Sequence, residues 1–237
     1  MTALSIVQSA AARLGLSIPS VLFSATDAQT IQLRTLLNEE GVGQMEYGGA
    51  LWTRLTKEQS FTTIASVSQD SSAMPSDFAR FCDGTIWDRS NARPVAGPMS
   101  PETWQAWMAR PVLASVVYGF RLRGGTFMMA PAPAAGLTIY FEYISNKWVY
   151  ASGDSAPTKT AFSADTDTSV FNEETMTAGL RWRFLQAKQL PHDGAYEEWK
   201  GLLQRDIARD GGMPTLSIAL PRMLPLGGPF VPEGSWT

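Results

Sequence analysis

Segments of helical spacing flank a middle of strand-like alternation in this chain, an order that restricts the architecture more than any single motif. Thr2 is placed to cap a first helix in which Val7, Ala10, Ala11 and Leu14 recur at helical spacing, with Gly15 and Pro19 ending it. Thr26-Asp27-Ala28-Gln29 has the pattern of a capping box, and Leu33, Leu36 and Leu37 share one face of the helix it opens. Gly41, Gly43, Gly48 and Gly49 are poor helix formers, so the far end of this second helix is expected to bend or unwind. From Gln59 the chain turns β-branched. Strand-like runs follow at 61–67, 85–88, 116–123, 126–130 and 137–144. Gly124-Gly125 between two such runs predicts a hairpin, because its two-residue loop needs positive φ.

One helix interrupts the strands: Ser100 caps it, Pro101 takes the first helical position, Glu102 complements the dipole, and Arg110-Pro111 stops it. The stretch 152–160 reads as a surface loop. Helical spacing returns with Met176, Leu180, Phe184 and Ala187, and again with Tyr196, Trp199, Leu203 and Ile207. The fold class expected is therefore α+β. Terminal helices (1–58 and 171–212) form an antiparallel bundle, 59–170 forms an inserted β-rich lobe, and 213–237 forms an extended C-terminal arm.

The arm is unusual in composition. Met213 to Thr237 carries five prolines and many large apolar residues, with no usable helical or strand period. Prolines keep such a stretch extended and out of any central strand. Leu216, Ile218, Leu220, Leu224, Leu226, Phe230 and Trp236 lose roughly 25 cal/mol per Å² of apolar surface left in water, so the arm is expected to lie along its own domain or another chain.

Charge and cysteine content exclude several classes. A net charge of -3 opposes a role built on neutralising nucleic-acid phosphates. The single cysteine, Cys82, has no internal disulfide partner and follows the aromatic Phe81, which favours packing over reactivity. The chain opens without a basic-then-apolar leader and its apolar runs are short, so a soluble protein of a reducing compartment with no membrane contact is expected.

No catalytic constellation emerges. His192, the one histidine, lies in an interhelical turn, and no Gly-x-Ser-x-Gly elbow supplies it with a nucleophile. Asp165-Thr166-Asp167 lacks the glycine and terminal glutamate of a calcium loop and reads as a turn. Glu39-Glu40, Glu173-Glu174 and Glu197-Glu198 are helix neighbours that point apart, and they read as solvated faces or dipole complements rather than glycosidase pairs. Arg121 and Arg123 share a strand face and are expected to pair with local carboxylates. Neither catalytic residues, nor metal ligands, nor a cofactor are expected.

The ordered segments resemble the head-to-tail adaptor of tailed bacteriophages, the group also called head-tail connectors or tail tubular protein A. The resemblance rests on Ser24 to Gln29, Met74-Pro75-Ser76-Asp77-Phe78, Pro94 to Trp104, and Phe120 to Gly125. It continues through Ala130 to Gly136, Phe141 to Ser145, Asp165 to Thr168 and Gly179 to Trp182, and covers Leu4 to Gly212. It implies a virion structural protein at the head–tail interface, made in the host cytoplasm, that forms a dodecameric ring between the portal protein and a tail or nozzle protein. It implies no chemistry, and DNA passing through such a ring would not be bound by sequence. It also gives the apolar side chains of the arm a role at the portal or a neighbouring subunit. Two other classes stay open at this point. One is a tail or surface component binding host carbohydrate through Trp87, Trp104, Trp107 or Trp148, whose habit is burial; the other is a hydrolase using His192.

Overall fold

The computed structural model describes residues 2–109 and 117–211. Within them the chain gathers into two compact units, one from the described residues of Met1–Thr56 and Ile144–Pro214, the other from those of Lys57–Tyr143. The described residues are mixed helix and sheet, with five α-helices. The arm residues Leu216, Ile218, Leu220, Leu224, Leu226, Phe230 and Trp236 lie outside the described residues.

The first unit holds helices α1 (Ala3–Leu14), α2 (Ala28–Glu46), α4 (Glu173–Ala187) and α5 (Asp193–Asp210). Helix α1 starts where Thr2 Oγ1 accepts from the Ser5 amide at 3.2 Å. Helix α2 starts one residue later than the capping-box pattern predicts, because Asp27 and not Thr26 is the cap and its carboxylate accepts from the Thr30 amide at 2.8 Å. A charged acceptor serves the positive end of the helix better than a hydroxyl. Helix α4 is the centre of the unit and packs against α1, α2 and α5. Its residues from Thr175 to Leu180 are all buried, so no single stripe describes it, and Ala187, expected on the apolar stripe, is exposed. Trp199, Leu203 and Ile207 of α5 are buried as their spacing predicts.

Gly41 and Gly43 do not unwind α2, which runs unbroken through both to Glu46. The bend falls later, in the short 3₁₀ turn Tyr47–Gly49, where Gly48 takes a φ of 56°. The reason is packing: a Cβ at Gly41 would overlap the ring of Trp148, and one at Gly43 would meet the Arg183 guanidinium. Fully buried Trp148 also meets Phe162 edge-on at 5.1 Å. It immediately precedes strand β8 (Val149–Tyr150), which pairs with β9 (Thr168–Ser169). The loop between them is largely exposed, as its composition predicts.

The second unit centres on a five-stranded sheet containing β1 (Thr56–Thr62), β2 (Phe78–Phe81), β3 (Trp87–Asp88), β4 (Arg93–Pro94) and β7 (Thr138–Ser145). The order is β1-β7-β3-β4, with β2 also on β7. Strands β5 (Gly119–Arg123) and β6 (Thr126–Ala130) form the predicted hairpin, turning at Gly124 and Gly125 with φ of 57° and 77°. Its core is aromatic: Phe120 stacks on Phe127 at 5.3 Å, and Phe61, Phe81 and Phe141 close around them. Aromatic pairs of this kind contribute about 0.5–1.5 kcal/mol each beyond the area they bury. Helix α3 (Pro101–Met108) begins at Ser100, whose hydroxyl oxygen accepts from the Thr103 amide at 3.1 Å, and anchors through buried Trp104.

Candidate functional site

The chain's chemistry-bearing residues are held in structural roles. His192 precedes α5, and its Nδ1 lies 3.0 Å from the Leu190 carbonyl oxygen. Cys82 is buried, and burial pushes its thiol up from the ordinary value, which disfavours the reactive thiolate. Asp165 accepts from the amides of Leu22 at 3.2 Å and Phe23 at 2.9 Å. Asp167 is buried and accepts from Lys159 Nζ at 2.8 Å, the Ser163 amide at 2.8 Å and the Ala164 amide at 2.9 Å. Both carboxylates thus fasten loops of the helical unit. Among the described residues no group of three or more His, Cys, Asp or Glu side chains is placed to hold a metal ion, and no helix is long and apolar enough to cross a membrane.

Glu40 departs from the expected solvated face. It is fully buried at the meeting of three helices, where its carboxylate accepts from Arg183 Nε at 2.5 Å, Trp199 Nε1 at 2.6 Å and Gln44 Nε2 at 2.8 Å. Burial pushes its carboxyl up, against the pull of Arg183, Gln44 and Trp199. Gly179 lies directly opposite, where a Cβ would overlap the carboxylate. The only hint in the sequence is glycine at helical positions 41, 43 and 179, which marks close approach rather than weakness.

Arg121 and Arg123, expected to pair with carboxylates, make no ion pair among the described residues, and the long side chains remain on the hairpin's surface. The other acidic neighbours do pair outward: Glu174 with Arg205 at 2.8 Å and Glu198 with Arg181 at 2.9 Å. Of the four tryptophans weighed for carbohydrate contact, Trp104 and Trp148 are buried and Trp107 donates to the Ala130 carbonyl at 3.1 Å. Only Trp87 of the four is exposed, at 37%.

Two surfaces of the helical unit are suited to contact with other protein. At one end, Ile18 and Val21 after α1, Ile31 in the first turn of α2 and Leu190 before α5 are all exposed, Ile18 by 60%. Leu16, Gln32, Phe184 and Leu190 line a cleft there. At the other end α5 finishes at Asp210, whose carboxylate accepts from the Thr53 amide at 2.6 Å and from the Thr53 hydroxyl at 2.9 Å. A cleft of about 310 Å³ lies beside it, lined by Trp52, Arg54, Phe171, Asp206 and Arg209 among others. The described residues end one position beyond Asp210, at Gly211.

The family model described as SU10 adaptor protein matches residues 1–217. No curated protein matches the chain.

Proposed function

The chain belongs to the SU10 adaptor protein family, a family of phage head-to-tail adaptors, and from that premise we propose that it joins the portal of a phage head to the tail as one subunit of a homo-oligomeric, dodecameric ring. The match over 1–217 is the observation that carries this reading. In it the chain is a virion component without catalysis, the portal protein lies on one side and a tail or nozzle protein on the other, and DNA moves through the ring. The net charge of -3 supports such a passage, since a lining that must let DNA slide gains nothing from strong phosphate contacts. Exposed Ile18, Val21, Ile31 and Leu190 support contact with neighbouring protein, because apolar surface is costly to leave in water.

The arm supplies the portal contact, through Leu216, Ile218, Leu220, Leu224, Leu226, Phe230 and Trp236. Light scattering on the purified chain, with and without the portal ring of the same genome, tests the reading. The chain alone is expected to be monomeric or weakly associated, and the mixture to rise to a discrete ring-on-ring mass. No change of mass on mixing would remove the portal from the scheme.

A further inference from the structure

Trp87 and Glu142 on the outward face of the five-stranded sheet, and Arg121 and Arg123 on the β5–β6 hairpin, make no ion pair or cation–π contact among the described residues. We propose that these two surfaces fit each other between copies of the chain, the hairpin of one copy setting its arginines on the Trp87 and Glu142 of the next. The proposal rests on the ring of copies proposed above and deepens it by naming a contact between neighbours.

Alternation along the strands builds the receiving face. On β7, Ile139, Phe141 and Tyr143 turn into the aromatic core, so Tyr140 and Glu142 face outward. Trp87 of β3 stands opposite Tyr140 on one side and opposite Pro94 of β4 on the other, which sets the three in one row across the sheet. Arg89, just past the end of β3, lays its guanidinium over the Tyr140 ring at 3.6 Å and pairs with Glu58. Its loop is held by the buried Asp88 carboxylate, which accepts from the amides of Ser90 at 3.0 Å and Asn91 at 3.2 Å. The face is therefore fixed before any partner arrives.

Charge says what fits it. Glu58 cancels Arg89, and Arg80 and Asp83, which act on Cys82 alongside Glu142, are opposite in sign. The carboxylate of Glu142 is left over beside an exposed indole. A guanidinium complements both, since it stacks on aromatic rings and binds carboxylates through paired donors.

The hairpin carries two such groups. Phe120, Phe127 and Met129 turn one of its sides to the aromatic core, so Arg121 and Arg123 lie on the other. Two residues apart on a strand, the arginines start about 7 Å from each other. Glu142 is the diagonal neighbour of Trp87 across the sheet, a separation of about 7–8 Å. One arginine can reach the carboxylate while the other covers the indole. The tip is open to approach, for a Cβ at Gly124 or Gly125 would meet nothing. Sheet and hairpin turn their inner sides to one core, so the arginines and the Trp87 row lie on its two outer sides. A contact that uses a different surface on each partner is heterologous, and it closes into a ring where its rotation allows.

NMR on the full chain, with no portal present, tests this. Arg121→Glu with Arg123→Glu removes the hairpin's charge and keeps the face, while Trp87→Ala with Glu142→Lys removes the face and keeps the hairpin. Titrating the isotopically labelled first chain with the unlabelled second is expected to shift the Trp87 indole resonance and to saturate at a 1:1 complex, because neither chain can add a third copy. Adding Arg121→Ala and Arg123→Ala to the second chain is expected to weaken that complex at least ~10-fold. No shift on mixing, with both chains showing a cooperative thermal transition, would overturn the proposal. An equal shift on adding unlabelled first chain, which lacks the arginines, would overturn it too. A shift produced by maltoheptaose and not by the second chain would give the face to carbohydrate instead. Because the portal is absent throughout, failure here is distinguishable from failure of the portal reading.

Discussion

Gly41 and Gly179 are residues at which local propensity and packing oppose each other. Glycine in a helix interior costs roughly 0.5–1 kcal/mol relative to alanine. At Gly201 of α5 a Cβ would meet nothing, so Gly201→Ala is expected to raise stability by up to about 1 kcal/mol. At Gly41 and Gly179 the same methyl would overlap Trp148 and Glu40, neither of which has room to move, since both are fully buried. Gly41→Ala and Gly179→Ala are expected to lose about 1–3 kcal/mol or more despite the better helix former. Urea midpoints for the three variants measure the difference in sign. If all three moved upward together, propensity would outweigh packing and the close approach would carry no energetic meaning.

Elements that announce their own ends were legible in the sequence. Helices α1 and α3 and the β5–β6 hairpin carry a cap or a glycine pair within a few residues of the boundary they set, so local chemistry suffices. Strands β4, β8 and β9 are two residues long and leave no period to read. The burial of Glu40 is not legible in the sequence because its partners Arg183 and Trp199 are 143 and 159 positions away, beyond any pattern along the helix. Asp167 is a further case, for its sequence reads as a turn while its carboxylate fastens the loop leading into β9. Burial alone pushes that carboxyl up, but Lys159 and the amides of Ser163 and Ala164 outweigh it and hold it below the usual carboxylate range. The folded chain then binds this proton less readily than the unfolded chain, so the contribution is complete above the unfolded value of about 3.9 and is lost as pH falls through the lower folded value. Asp167→Asn is expected to lose about 1.5–3 kcal/mol near pH 7, with wild type and variant converging as pH falls through the lowered folded value. Urea unfolding across that range measures it; a gap that stayed constant down to low pH would mean that the charge of Asp167 is not what fastens the loop.

In the proposed reading the two compact units carry the fold and the arm carries attachment. The aromatic cluster fills the core of one unit and α4 the centre of the other, and each is built from described residues alone. Deleting Met213–Thr237 is therefore expected to leave a cooperative thermal transition while weakening portal attachment. A second truncation, ending after Pro221, retains Thr215–Leu220 and removes only the remainder of the arm. If the portal contact lies beyond Pro221, this shorter deletion loses the portal as the longer one does. Co-sedimentation with portal rings reads attachment. Portal binding retained in full by the longer, folded truncation would take the contact away from the arm and return it to the apolar end formed by Ile18, Val21, Ile31 and Leu190. Binding retained by the shorter truncation and lost by the longer one would instead put Leu216, Ile218 and Leu220 at the portal.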